Sequence, residues 1–330
     1  LDLSKKGIIS ISLDVLKDSP DIEELLLGAN KLTEIDLAPL GQLKKLRVIN
    51  LFKNQIPVVD LSPLEGCANL KELNLGTNEL ISIDLTPLSE CTHLERLRLF
   101  NNKITTIDIS PLSHCVNLTS LELETNGLES VNLIPLKNCG NLAQLNLMYN
   151  SIISIDLEPL STCTNLKFLY LHQNAIGSID LNPLSNATDF RILRLGGNEL
   201  TTIDLEPLSR CTNLRRLELA MNAISELDLR PLSACVDLRA LDIAGNQLKS
   251  IDLTPLSECT ALEELYLHSN HPQENDFSEL NLSPLFACPE LEDLGVPDSC
   301  EMIADKSLKT QKSKPYALEE LLEDGRLSWT

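Results

Sequence analysis

In the stretch Leu94-Glu95-Arg96-Leu97-Arg98-Leu99-Phe100-Asn101-Asn102-Lys103-Ile104, leucines alternate with other residues through Leu97-Arg98-Leu99. That is the period of a strand with one buried face. The same spacing of apolar residues recurs every 24 residues, from Ile22 through Leu46, Leu70, Leu94, Leu118, Leu142, Leu166, Phe190, Leu214 and Leu238 to Leu262. A twelfth start, Leu291, follows Leu262 by 29 residues, so five residues are inserted. The unit reads L-x-x-L-x-L-x-x-N-x-[IL]-x-x-I-D-L-x-P-L-x-x-C-x-x. So regular a period predicts stacked coils, each contributing one strand of four to six residues to a parallel sheet. A single coil exposes apolar side chains on both flat faces, so only stacking makes it stable.

The remaining positions fit the same picture. Asn recurs at the ninth position, from Asn30 to Asn270, where a buried amide must hydrogen-bond to backbone of its own and the neighbouring coil. Pro at the eighteenth, as in Pro87 and Pro111, suits the first residue of a short helical turn, 3₁₀ or α. Asp at the fifteenth, replaced by Asn132 and Asn281, fits an Asx-type bond to backbone N–H groups two or three residues on. Calcium held between coils is the alternative, but single carboxylates one coil apart supply too few oxygens.

The segment Leu94–Ile104 matches the hallmark of leucine-rich-repeat proteins, and residues 1–296 resemble that family, closer to microbial arrays than to common extracellular variants. The resemblance implies an α/β solenoid: a right-handed horseshoe with a parallel concave β-sheet and short 3₁₀ or α turns on the convex side. Residues 1–21 read as a degenerate N-terminal repeat. Residues 22–296 hold eleven full repeats and a truncated twelfth. Residues 297–330 leave the period and read as a C-terminal cap and tail, with helical spacing over Tyr316–Leu322 and Gly325 as its stop.

Lys and Arg number 27 against 48 Asp and Glu, a net charge of −21. Such a surface repels nucleic acid and anionic lipid, so neither is an expected partner. No apolar run reaches the ~20 residues that span a bilayer. Nine of the ten cysteines share one repeat position that Leu43 and Ala187 also fill, which makes them core residues rather than disulfides or zinc ligands; Cys300 lies outside this ladder. Free thiols favour a reducing compartment, hence a cytoplasmic location. His93 and His114 fall on the convex side, while His172 and His268 are four coils apart and too distant to cooperate. His271, near His268 in the insertion His271–Phe277, offers at most weak metal binding. No catalytic motif is present, so neither enzyme activity nor a metal or other cofactor is expected.

Concave positions are free to serve function because the fold does not dictate them. Eleven aromatics occur in 330 residues, and six fall on or beside this face: Phe52, Phe100, Tyr149, Phe168, Tyr170 and Tyr266. Arg96, Arg98, Arg194 and Arg216 share it, with Glu122, Glu124, Glu218 and Asp242 between them. Met148, Tyr149, Phe168, Tyr170, His172, Ile192 and Arg194 form an apolar-to-basic patch that suits a protein or peptide partner with an apolar anchor and acidic groups. Strand propensity alone also favours Tyr and Phe there. The leading expectation is a protein-binding scaffold; the alternatives are the recognition or regulatory fragment of a larger hydrolase or ligase, and a calcium-dependent adhesin. Partner identity and oligomeric state are not fixed by these residues.

Overall fold

The computed structural model describes residues 1–268 and 275–330, in two compact units, Leu1–Leu166 and Lys167–Thr330. The coil beginning at Leu94 shows how the repeat folds. Leu94, Leu97, Leu99, Ile104, Ile109, Leu112 and Cys115 are each at most 2% exposed. Every such aliphatic side chain contributes ~1.5–3 kcal/mol on burial.

In the first unit the strands are β1 (Glu24–Leu26), β2 (Val48–Asn50), β3 (Glu72–Asn74), β4 (Arg96–Arg98), β5 (Ser120–Glu122) and β6 (Gln144–Asn146). They form a parallel sheet in sequence order, and each residue pairs with the one 24 positions on, as Arg96 does with Ser120. Three residues is shorter than the four to six expected. The backbone turns at the eighth repeat position into the left-handed region, with φ 56° at Lys53 and 51° at Asn101 and Tyr149, and this ends the strand.

The opposite side of each coil is a 3₁₀ turn rather than an α turn, Ser110–His114 being typical, with Pro111 as its second residue. Asp108 Oδ1 accepts the Ser110 N–H at 2.8 Å, and Asn132 Oδ1 accepts that of Ile134 at 3.0 Å. Both side chains are therefore Asx-turn acceptors. The amide row behaves as the pattern predicts. Asn102 Nδ2 donates to Leu75 O (3.1 Å) in the preceding coil and to Leu99 O (2.9 Å) in its own, while its Oδ1 accepts the Leu80 N–H (3.0 Å). At the start of the chain, Leu3 N and Lys5 N donate to Leu26 O and Gly28 O, and Leu13 and Leu16 are buried.

The second unit carries β7 (Phe168–Tyr170), β8 (Ile192–Arg194), β9 (Arg216–Glu218), β10 (Ala240–Asp242), β11 (Glu264–Tyr266), β12 (Glu279–Asn281) and β13 (Asp293–Gly295). β7 to β11 and then β13 pair in parallel order, and Glu264 pairs with Asp293, so the inserted residues stay outside the register. Asn270 and His271 lie outside the described residues. Asn275 makes the ladder contacts expected of Asn270: its Nδ2 donates to Ile243 O (3.0 Å) and Leu267 O (2.9 Å), and its Oδ1 accepts the Leu248 N–H (3.1 Å). A buried amide position must be filled, and the chain fills it with the Asn after the inserted residues.

Beyond β13 the chain forms β14 (Glu301–Ala304), the helix α1 (Tyr316–Glu323) and β15 (Leu327–Trp329). β12, β14 and β15 make a second, three-stranded parallel sheet that the sequence pattern did not reveal. α1 buries Ala317, Leu318 and Leu321, and Gly325 follows it at φ 67°. Cys300, outside the ladder, is also buried.

Candidate binding face

Strand alternation turns the third, fifth and seventh residues of each coil away from the core, and constant register sets equivalent residues in rows. In the first unit Glu72, Arg96, Arg98 and Glu122 form an ion-pair ladder. Glu72 takes Arg96 Nη1 at 3.2 Å and Arg98 Nη1 at 2.6 Å, and Arg98 Nε donates to Glu122 Oε1 at 3.0 Å. Phe52 and Phe100 belong to coils two apart, yet their ring centroids are 5.8 Å apart. Gly76 in the coil between them permits this, since a Cβ there would lie 2.5 Å from Phe100 Cε1. Next in the row comes Glu124, whose Oε2 is buried without a hydrogen-bond partner. Burial, helped by the nearby Glu122 and opposed by a backbone N–H and by Arg98, lifts its pKa to about 7. Met148 follows, half-buried. Tyr149 stands beside the rows rather than in them, at the left-handed eighth position and 52% exposed.

In the second unit Phe168 and Tyr170 lie with centroids 6.3 Å apart and rings 6° from parallel, and Arg194 Cζ sits 5.6 Å from the Tyr170 centroid. Ile192 pairs in register with Phe168. Arg194 Nε is 3.2 Å from Glu218 Oε2, an ion pair without hydrogen-bond geometry. Arg216 reaches Glu218 at 3.4 Å and, across the small Ala240, Glu264 at 2.9 Å. Tyr266 meets His268 edge-on at 5.9 Å, both against Gly295.

The seventh-position row runs His172, Gly196, Ala220, Ala244, His268, with small residues between two imidazoles. Burial first, and then the Arg194 charge, depresses His172 to about 4, so it is neutral at pH 7. Above Gly196 and Ala220 opens a recess of about 130 Å³, whose charged lining residues are Glu218 and Asp242.

Of the seven residues expected in one apolar-to-basic patch, Met148 and Tyr149 belong to the first unit and the other five to the second. The basic character is corrected: Arg96, Arg98, Arg194 and Arg216 each face a carboxylate within 3.4 Å, because opposite charges sit in the same or the adjoining row, in the same coil or one or two coils away. Glu124 and Asp242 lie on the face as their positions predict, but the burial of their carboxylates and the small row at Gly196 and Ala220 were not foreseen. The signal for that row was present in the run of small residues at the seventh position.

Among the described residues no cluster of His, Cys, Asp and Glu is placed to hold a metal ion, and no helix is long and apolar enough to cross a membrane. A larger hollow of about 560 Å³ opens on the turn side by Asp228 and Asp252, but these acids are committed to Asx bonds with Arg230 and Thr254. From Cys91 onward the ladder thiols point at carbonyls of the preceding coil, Cys163 Sγ lying 3.5 Å from Leu136 O. Burial raises Cys91 and Cys139 to about 12 and Cys115 to about 11.

The chain belongs to the leucine-rich-repeat family. The BspA type leucine rich repeat region matches residues 9–135, 41–167 and 90–214 in overlapping placements, and the leucine rich repeat matches residues 188–248 and 212–271. Among solved structures, the internalin InlF of Listeria monocytogenes is 28% identical with a TM-score of 0.71, covering 86% of this chain and 77% of that one. The functional domain of InlJ from Listeria monocytogenes, which includes a cysteine ladder, is 24% identical with a TM-score of 0.71, covering 92% and 63%. The plant peptide hormone receptor RGFR1, solved in complex with RGF2, is 21% identical with a TM-score of 0.68, covering 92% and 55%. No curated protein matches the chain.

Proposed function

We propose that the chain is a binding scaffold that recognises a protein or peptide on the strand faces of its coils. The supporting observation is the placement of aromatics in a chain that has few: Phe168 and Tyr170 lie ring by ring with Arg194 against Tyr170, and Phe52 meets Phe100 over Gly76. Aromatic and Arg side chains carry much of the energy at protein interfaces, and these are only half-buried although no core packing requires them. A fold relative solved with its peptide hormone partner supports the same reading. In this reading Phe52, Arg96, Arg98, Phe100 and Met148 serve in the first unit, with Tyr149 at its margin. Phe168, Tyr170, His172, Ile192, Arg194, Arg216 and Tyr266 serve in the second. Arg194 lies against the Tyr170 ring, and the paired arginines set a polar rim rather than attract an acidic partner. Inert, buried thiols survive in either redox environment, so the reading requires no particular compartment.

The double variant Tyr170→Ala, Arg194→Ala is the test. Thermal unfolding should stay close to the parent, while partners cross-linked from a source-cell extract by the parent should be lost. Retention of the same partners by the variant would place recognition elsewhere.

A further inference from the structure

The charged lining of the recess over Gly196 and Ala220 is acidic, beside a patch expected to be apolar and basic. His172 closes one end and is neutral at pH 7, and Met221 flanks the floor. Glu218 is engaged by Arg194 and Arg216. Asp242 is not: its Oδ1 accepts one bond, the Ala244 N–H at 3.1 Å, and no cation among the described residues pairs with it. Burial raises its pKa, with Glu218 adding to the rise, and the Ala244 N–H and the more distant His268 and Arg216 only partly offset it. A cation entering beside Asp242 would relieve that penalty, whereas an anion would add to it. The volume, about 130 Å³, equals roughly four waters, which admits a guanidinium or ammonium with its last methylenes. The row from His172 to His268 crosses four coil spacings, about 19 Å at the inter-strand distance, which an extended chain covers with about five or six residues.

We propose that this recess takes the arginine or lysine side chain of an extended peptide segment of the partner, with Asp242 as its principal counter-charge and Tyr170 and Tyr266 flanking the segment. This rests on the strand face being the recognition face. A divalent metal is disfavoured by the small ligand set, since calcium requires six to eight oxygens.

A dodecapeptide phage library panned on the full chain provides the test, followed by affinity measurements on synthetic versions of the enriched peptides. The enriched set should carry a shared Arg or Lys, and replacing it by citrulline or norleucine should weaken binding about tenfold or more. In Asp242→Asn the same replacement should cost little further, and Ala220→Leu, which fills the recess without altering charge, should weaken the parent peptide. Peptides that lack a basic residue, or an equal citrulline penalty in the parent and Asp242→Asn, would overturn the inference. If those peptides still lose affinity with Tyr170→Ala, Arg194→Ala, the strand-face function survives without it. Peptides indifferent to both changes, or no enrichment at all, count against both.

Discussion

Replacing Asn246 by alanine measures what the amide row contributes. Asn246 is fully buried. Its Oδ1 accepts the Ile224 N–H at 3.1 Å, and its Nδ2 donates to Leu219 O at 3.1 Å and Ile243 O at 3.0 Å. The two carbonyls are not abandoned by the change, because Leu219 O also accepts from Asn222 and Ile243 O from Asn275. The Ile224 N–H has no second acceptor among the described bonds, and Ile224 is 1% exposed. One orphaned buried donor costs about 1–3 kcal/mol. Two weakened carbonyl pairings and a small void bring the expected loss to about 2–4 kcal/mol. Urea titration followed by circular dichroism gives the loss, with Asn182→Ala, an exposed amide that donates to Asp180, as the control within about 0.5 kcal/mol. Because repeat arrays can unfold piecemeal, exchange of the Ile224 amide should be followed too, and it should accelerate strongly. A loss no larger than that of the control, with unchanged exchange at Ile224, would refute the claim that the amide row satisfies the interior backbone.

Glu124→Gln should give a pH-dependent gain. The folded-state pKa is raised from 4.5 to about 7, so the parent binds its proton more tightly when folded. Its stability is fully present below pH 4.5 and declines until pH rises past about 7. Above that the glutamine variant should be the more stable by about 2 kcal/mol, allowing for the partial exposure of the carboxylate, and the advantage should vanish towards pH 4.5. Parallel stability curves for the two proteins would dismiss a buried, unpaired carboxylate. The nine ladder cysteines, raised in pKa by burial, should ignore Ellman's reagent in the native protein and react fully in denaturant. Rapid labelling of the native chain would mean that the coils open far more readily than their packing implies.

The legible part of the molecule was whatever one coil repeats. Leu97, Leu99, Ile104 and Leu112 had to face inward because their spacing leaves no other way to bury them. Asp108 and Asn132 share a position because both accept the same backbone N–H. The errors came where the repetition lapses. Five inserted residues slid the amide position from Asn270 to Asn275, and counting forward could not reveal it. Residues 297–330 lost the period, so β14 and β15 were invisible while the short amphipathic run of α1 was not.

The binding face was legible as a set of candidates but not in its chemistry. Periodicity along the chain assigns each residue to the core, the turn or the strand face, since burial must repeat with the coil. It says nothing of what stands beside a side chain one coil away. Arg98 is neutralised by Glu72 and Glu122, Phe52 reaches Phe100 only across Gly76, and Asp242 faces a recess only because Ala220 is small. Such contacts join residues one or two coils apart, and they come into existence only when the coils stack and bring those side chains within a few ångströms.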